Sequence, residues 1–218
     1  MAASSKVRKQ VLTDLRRTEI IAAALKIFGT KGFAAARAED IAAQADIAKG
    51  TLYLYFRSKE EIYVAAVQHA IDQLNERVQE RLQSATGIRQ RVAAFVTARL
   101  EFWLERRSLY RLLLTVGREA QNRKQTNALL RTSAQSLVTL LEEGVATGEI
   151  QPQPLEAISW AVIDLLRGAN ERRLDGVVAH SIEQDAEFIT RLTLHTLGLT
   201  EEPSSPAKSS SNHPTAQS

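Results

Sequence analysis

The chain has 218 residues, 44% hydrophobic and 24% charged, enough to bury a substantial core in one or two domains. It lacks Cys and has one Met, the first residue, which excludes disulfides, Cys-ligated metal centres, thiol nucleophiles and sensing through sulfur oxidation. The net charge of +3 hides an asymmetry: residues 1–60 hold 11 Lys/Arg against 6 Asp/Glu, net +5, and residues 61–218 hold 17 against 19, net −2. A basic head on a slightly acidic body points to a polyanion partner for the head, the alternative being a solvated surface.

Proline is absent before Pro152 and recurs only at Pro154, Pro203, Pro206 and Pro214. A long Pro-free stretch rich in Ala, Leu, Glu, Gln and Arg, without sustained period-2 alternation, predicts consecutive helices and an all-α fold. Residues 1–12 form a basic N-terminal arm, in which Lys6, Arg8 and Lys9, continued by Arg16 and Arg17, can follow phosphates. A first helix over 13–28, or starting several residues earlier, places Ile20, Ile21, Ala24, Leu25 and Phe28 on one face, and Gly29 and Gly32 break it. Two short helices, 38–45 and 48–56, flank a tight turn at Ala45-Asp46-Ile47 and form a helix-turn-helix unit within a domain of residues 13–60. Ile41, Ala42, Ala45, Ile47, Leu52 and Phe56 supply its apolar contacts.

The outer face of the second short helix offers Lys49, Gly50, Thr51, Tyr53 and Tyr55. Lys can reach a phosphate or a guanine edge, Thr a base, and Tyr hydroxyls a phosphate; Gly50 lets the backbone approach a base closely. The other reading of the tyrosines is half-buried packing.

Ser58 and Glu61 predict a capping box that starts a helix running to residue 83. Further helices are expected over 88–106, 108–120, 126–147, 155–174 and 182–197, the last opened by a Ser181–Gln184 box. Together they make a helical regulatory and dimerisation domain, 61–200. The Ser- and Pro-rich residues 201–218 are expected to form a disordered tail.

Lys49-Gly50-Thr51-Leu52-Tyr53, then Tyr55-Phe56 and Ser58-Lys59-Glu60-Glu61, with Asp40-Ile41-Ala42 and Gly32-Phe33 before them, resemble the signature of the tetracycline-repressor (TetR) family over about residues 16–64. The resemblance implies a homodimer whose recognition helices enter successive major grooves of a palindromic double-stranded DNA operator, with half-sites about 34–36 Å apart. It further implies that Lys49, Gly50 and Thr51 face bases, and that Tyr53, Tyr55 and Lys59 contact phosphates. The implied C-terminal helical domain dimerises and holds a small-molecule inducer. Three positions depart from the pattern: Asp46 stands where the family usually has Gly, Ala48 where it often has Ser, and Ala36-Arg37 where Thr or Ser is common. Asp tolerates the left-handed conformation, Ala48 cannot cap, and Arg37 can offer phosphate a charged contact.

Phe95, Phe102, Trp103, Tyr110, Leu113, Leu114, Val116, Leu137, Leu141 and Trp160 are candidates to line a cavity for a small apolar or amphipathic ligand, the alternative being plain core. Arg99, Glu101, Arg118 and Asn122 can orient such a ligand or face water. For a dimer interface the candidates are Ile158, Val162, Leu165 and the small Gly168 on one helix, with Ile189 and Leu192 on the next. His69, His180, His195 and His213 have no metal-ligand spacing, and no phosphate-loop, dinucleotide or nucleophile-elbow motif occurs. No metal, cofactor or catalytic residue is therefore expected. No segment is long and apolar enough to span a membrane, and the first residues lack an apolar signal core, so a cytoplasmic location is expected. The function expected is a sequence-specific transcriptional regulator, a repressor released from its operator by a ligand. The alternative is a DNA-binding regulator without an inducer.

Overall fold

The computed structural model describes residues 2–117 and 120–199. The expected tail and Arg118 lie outside the described residues, as do the side chains of Lys6, Lys9 and Asn122. Among the described residues there are nine helices and no strand.

Helix α1 (Ala2–Lys31) buries Ile20, Ile21, Ala24 and Phe28 on one face, as the spacing predicts. It begins well before residue 13, so the described part of the basic arm is continuous with the helix, and Gly29, expected to break the helix, lies inside it. Gly32, at φ 77°, turns the chain out of α1. Helices α2 (Ala38–Gln44) and α3 (Lys49–Tyr55) follow, packed through Ile41, Ala42 and Leu52.

The turn between α2 and α3 is a Schellman motif: Asp46 N–H donates to the Ala43 carbonyl at 3.2 Å and Ile47 N–H to that of Ala42 at 3.0 Å. Asp46 sits at φ 53°, the left-handed conformation expected where Gly would be usual. Ala48 precedes α3 without any side-chain cap.

Helix α4 (Lys59–Gln83) starts with Ser58 Oγ accepting the Glu61 N–H at 3.2 Å. The return half of the expected box is shifted by one residue, the Glu61 carboxylate accepting the N–H of Arg57 at 2.7 Å. Ile62, Ala66, Ala70, Leu74 and Val78 then form a buried stripe at four-residue spacing. This single rod, about 37 Å long at 1.5 Å per residue, runs from the helix-turn-helix unit into the remaining helices.

Those are α5 (Gly87–Glu105), α6 (Arg107–Val116), α7 (Ala120–Ala146), α8 (Leu155–Leu174) and α9 (Ile182–Thr196). Helix α5 is central, packing on α4, α7, α8 and α9 through Val92, Phe95, Val96 and Leu100. Helix α6 stops at Gly117, earlier than expected. A Cβ on Gly117 would lie 2.4 Å from the Leu113 carbonyl and 2.8 Å from the Thr126 hydroxyl of α7, so only glycine allows this approach. Helix α6 also packs on α1, where a Cβ on Gly29 would lie 3.2 Å from Ser108 Cβ. The expected Ser181–Gln184 box is present at the start of α9, and Arg173 at the end of α8 pairs with Asp185. No described helix is long and apolar enough to cross a membrane.

Candidate nucleic-acid interface and ligand cavity

Helix α3 presents its polar side outward because Leu52 and Phe56, four residues apart, are its buried anchors. Lys49 and Gly50 are exposed, Tyr53 is 47% exposed, and Thr51 and Tyr55 are half-buried. Leu54 is 82% exposed and was not among the expected contacts. Two residues beyond Leu52, it lies about 200° round the helix from the buried anchor, a signal available in the spacing alone.

Lys49 is not idle. Its ammonium lies 2.5 Å from the Glu39 carboxylate of α2 and 6.0 Å from the Tyr53 ring centroid. The hydrogen bond from Lys49 holds the Glu39 carboxyl below its ordinary range, and the same bond raises the Lys49 pKa. Gly50 is informative in the opposite way. A Cβ there would meet nothing within 4 Å, and its φ is not positive. Glycine inside a helix costs about 1 kcal/mol relative to Ala, and nothing within the chain requires it.

Lys59 requires a correction. Rather than facing outward, its ammonium donates to the carbonyls of Phe33 at 3.0 Å, Ala34 at 3.1 Å and Ala36 at 3.5 Å, and lies 4.8 Å from the Phe33 ring centroid. It pins the α1–α2 turn to the start of α4, and its donors are committed to that task. Arg17 is likewise internal: it donates to the Tyr55 carbonyl at 2.6 Å and lies 4.2 Å from the Phe56 ring centroid, clamping the end of α3 to α1. Arg16 pairs with Glu19 at 2.7 Å. Arg37 remains exposed; its N–H donates to Asp40, which also accepts from Lys31 at 2.7 Å.

A small cavity of about 60 Å³, partly open to solvent, lies among α4, α5, α6, α7 and α8. Of the expected lining residues Trp103, Tyr110 and Leu113 border it. Phe95, Phe102, Leu137 and Leu141 do not: they are fully buried and fill the core between helices. Val116 is buried too, and Leu114 and Trp160 are half-buried; none of the three lines the cavity. The remaining wall comes from Ile71, Thr126, Leu129, Leu130, Ser133, Ile163, Leu166, Arg167 and Asn170, together with Arg99. Ser133 and Asn170 were missed, although each is a polar residue at helical spacing from buried Leu137 and Leu166.

The Tyr110 hydroxyl donates to the Arg167 carbonyl at 3.0 Å, and its ring lies 5.2 Å from that of Trp103. Arg99 is only 5% exposed. Its guanidinium sits 5.0 Å from the Phe95 ring centroid, and its Nη1 has no hydrogen-bond partner. Burial lowers its pKa from 12.5 to about 10.

Three of the dimer candidates are also corrected. Ile158, Val162 and Ile189 are buried within the chain and close its own core. Leu165 and Gly168 are half-buried and Leu192 is 39% exposed, beside Phe188 at 54%. No group of three or more His, Asp and Glu among the described residues is placed to hold a metal ion.

The family model "Bacterial regulatory proteins, tetR family" matches residues 20–66, the segment from the buried face of α1 to the first turns of α4. The helix-turn-helix segment is of the TetR type. The HTH-type transcriptional activator FasR of Mycolicibacterium smegmatis is 37% identical over 100 residues, 46% of either chain. The fatty acid metabolism regulator protein of Bacillus subtilis is 27% identical over 135 residues, covering 61% of this chain and 70% of its own. Among solved structures, FadR from Bacillus subtilis in complex with stearoyl-CoA aligns with a TM-score of 0.73 at 20% identity, over 84% of this chain and 99% of its own. The likeness in fold thus extends through the C-terminal helices, where sequence similarity is low.

Proposed function

We infer that this protein is a ligand-responsive DNA-binding transcriptional regulator that acts as a homodimer on a palindromic operator. In this reading α1–α3 form the DNA-binding head, and α4–α9 form the regulatory and dimerising body. The observation that carries it is the outer face of α3. An exposed Lys49, an exposed Tyr53 and a glycine that nothing inside the chain requires stand together on a short helix of a basic head. Gly50 lets the helix backbone approach a base edge, Lys49 and Thr51 read or steady the groove, and Leu54 offers a methyl-sized contact to thymine. Tyr53, Tyr55 and Arg37 are assigned to phosphates. Exposed Phe188 and Leu192, with Leu165 and Gly168, supply the face for a second copy.

The cavity supports a ligand with an apolar body, and relatives that regulate fatty acid metabolism support an acyl-like one. Such a ligand moves the protein between DNA-competent and released states only to the extent that it binds the two differently. The chain is read as a repressor and not as an enzyme, working in the cytoplasm where operator DNA is accessible.

The test is selection of bound duplexes from a random pool at stated salt, with the oligomeric state measured at micromolar concentration. The expected outcome is an inverted repeat with half-site centres about 34–36 Å apart, bound by a dimer. An unenriched pool, or a stable monomer, would overturn the reading.

A further inference from the structure

Arg99 is the feature of the cavity that apolar filling does not explain. A cation this deeply buried is costly unless it is paired, and replacing such a group by an apolar side chain of similar volume often stabilises a protein. No carboxylate answers Arg99 among the described residues: its neighbour is the Phe95 ring, and Nη1 has no partner. The buried side chains of Ser133 and Asn170 reach the same cavity from α7 and α8, adding a hydroxyl and an amide. The hydrocarbon wall is built by Ile71, Leu129, Leu130, Ile163 and Leu166; Leu113, the Trp103 and Tyr110 rings, Thr126 and the exposed Arg167, which is paired with Asp164, complete the lining.

We propose that the cavity binds an aliphatic carboxylic acid, its carboxylate seated on Arg99 and its hydrocarbon body against that hydrocarbon wall. The inference rests on reading the C-terminal helices as a ligand-binding body. A planar guanidinium fork matches a carboxylate in a two-bond geometry, and one cation balances one negative charge. A phosphate dianion would leave a second charge buried and unbalanced. The polyanionic head of an acyl-CoA is too large for a cavity of about 60 Å³. The guanidinium keeps its proton at neutral pH despite burial, so no proton uptake is needed for the pair to form. Ser133 and Asn170 add hydrogen bonds to the remaining carboxylate lone pairs.

The experiment uses the full chain, wild type and with Arg99→Met, titrated with straight-chain carboxylates from hexanoate to palmitate, the matched alkanols and the matched acyl-CoAs. Binding is followed by calorimetry, by tryptophan fluorescence and by the thermal midpoint, and operator binding is measured separately. The best carboxylate is expected to bind at least about tenfold more tightly than its alkanol or acyl-CoA. Arg99→Met should weaken the carboxylate about a hundredfold, leave the alkanol unchanged or tighter, and raise the ligand-free midpoint. An alkanol or acyl-CoA that binds as tightly as the carboxylate overturns the proposal, as does a folded Met variant with undiminished carboxylate affinity. Failure of all three ligand classes while operator binding persists also overturns it, leaving a DNA-binding regulator. Loss of operator binding alone strikes the regulator reading and leaves the ligand result standing.

Discussion

Replacing Lys59 by Met separates two roles that a basic residue at the start of α4 can have. In the structure the ammonium makes two good hydrogen bonds, at 3.0 and 3.1 Å, a marginal one at 3.5 Å, and a cation–π contact at 4.8 Å. Hydrogen bonds to a charged group contribute about 1.5–3 kcal/mol each, and an exposed cation–π contact about 0.5–1 kcal/mol. The site is half-buried, so the low end applies, and the freed carbonyls regain water. Met keeps the apolar contacts of the lysine stem. The expected net loss is about 2–3 kcal/mol, or roughly 5–10 °C in thermal midpoint for a chain of this size. Were Lys59 on a phosphate instead, the two copies in a dimer would lower the slope of log affinity against log salt by about 1.8. Differential scanning calorimetry and operator titrations at several salt concentrations read the two quantities independently. A lower midpoint with an unchanged slope is expected. An unchanged midpoint with a slope reduced by about 1.8 would refute the assignment.

Gly50→Ala should raise stability by about 0.5–1 kcal/mol, because glycine has no packing role there, and should weaken operator binding; denaturant midpoints and fluorescence anisotropy test the opposed changes. Asp46→Ala is expected to cost about 1 kcal/mol from its left-handed backbone, whereas Asp46→Gly should cost no more than that, compared by urea unfolding. Leu54→Ala should stay within about 0.5 kcal/mol of wild-type stability, since the side chain is exposed, yet lose operator affinity. The Asp40 carboxyl is held below its ordinary 3.8, first by the hydrogen bond from Lys31 and then by the Arg37 N–H. Its contribution is therefore complete above that value and fades as pH falls through the lower folded one. Stability curves of wild type and Asp40→Asn should differ at neutral pH and converge in acid.

The helix-turn-helix unit was legible because its constraints are local. A left-handed Asp, a missing cap at Ala48 and a Ser58 cap each act within a few residues of where they are written. The direction of Lys59 was not legible, because it depends on where the α1–α2 turn lies, some 25 residues earlier in the chain. The cavity was harder still: aliphatic residues repeat with the same period whether they fill space or border it, so Phe95 and Leu141 could not be separated from Trp103 and Tyr110. What distinguished the true wall were polar interruptions of buried stripes, at Arg99, Ser133 and Asn170. The start of α1 stayed open between residue 13 and earlier positions for another reason: Val7, Val11, Leu12 and Leu15 are exposed and have no core to report on.

The contact of Gly29 with Ser108 joins the two ends of the molecule by a route that does not pass through α4. Tyr110 and Leu113, which border the cavity, lie on the same short helix as Ser108, and α1, which carries Gly29, also carries the Arg17 clamp on α3. Only the short Ser108 side chain stands between α1 and α6 at this point, so the two helices approach closely. A ligand that moved α6 at the cavity wall would press on α1 here, and α1 is tied to α3 through the Arg17 clamp. A bulkier residue at position 29 would meet Ser108 and wedge α1 from α6, so the missing side chain at Gly29 sets how closely the head and the cavity-bearing body can lie.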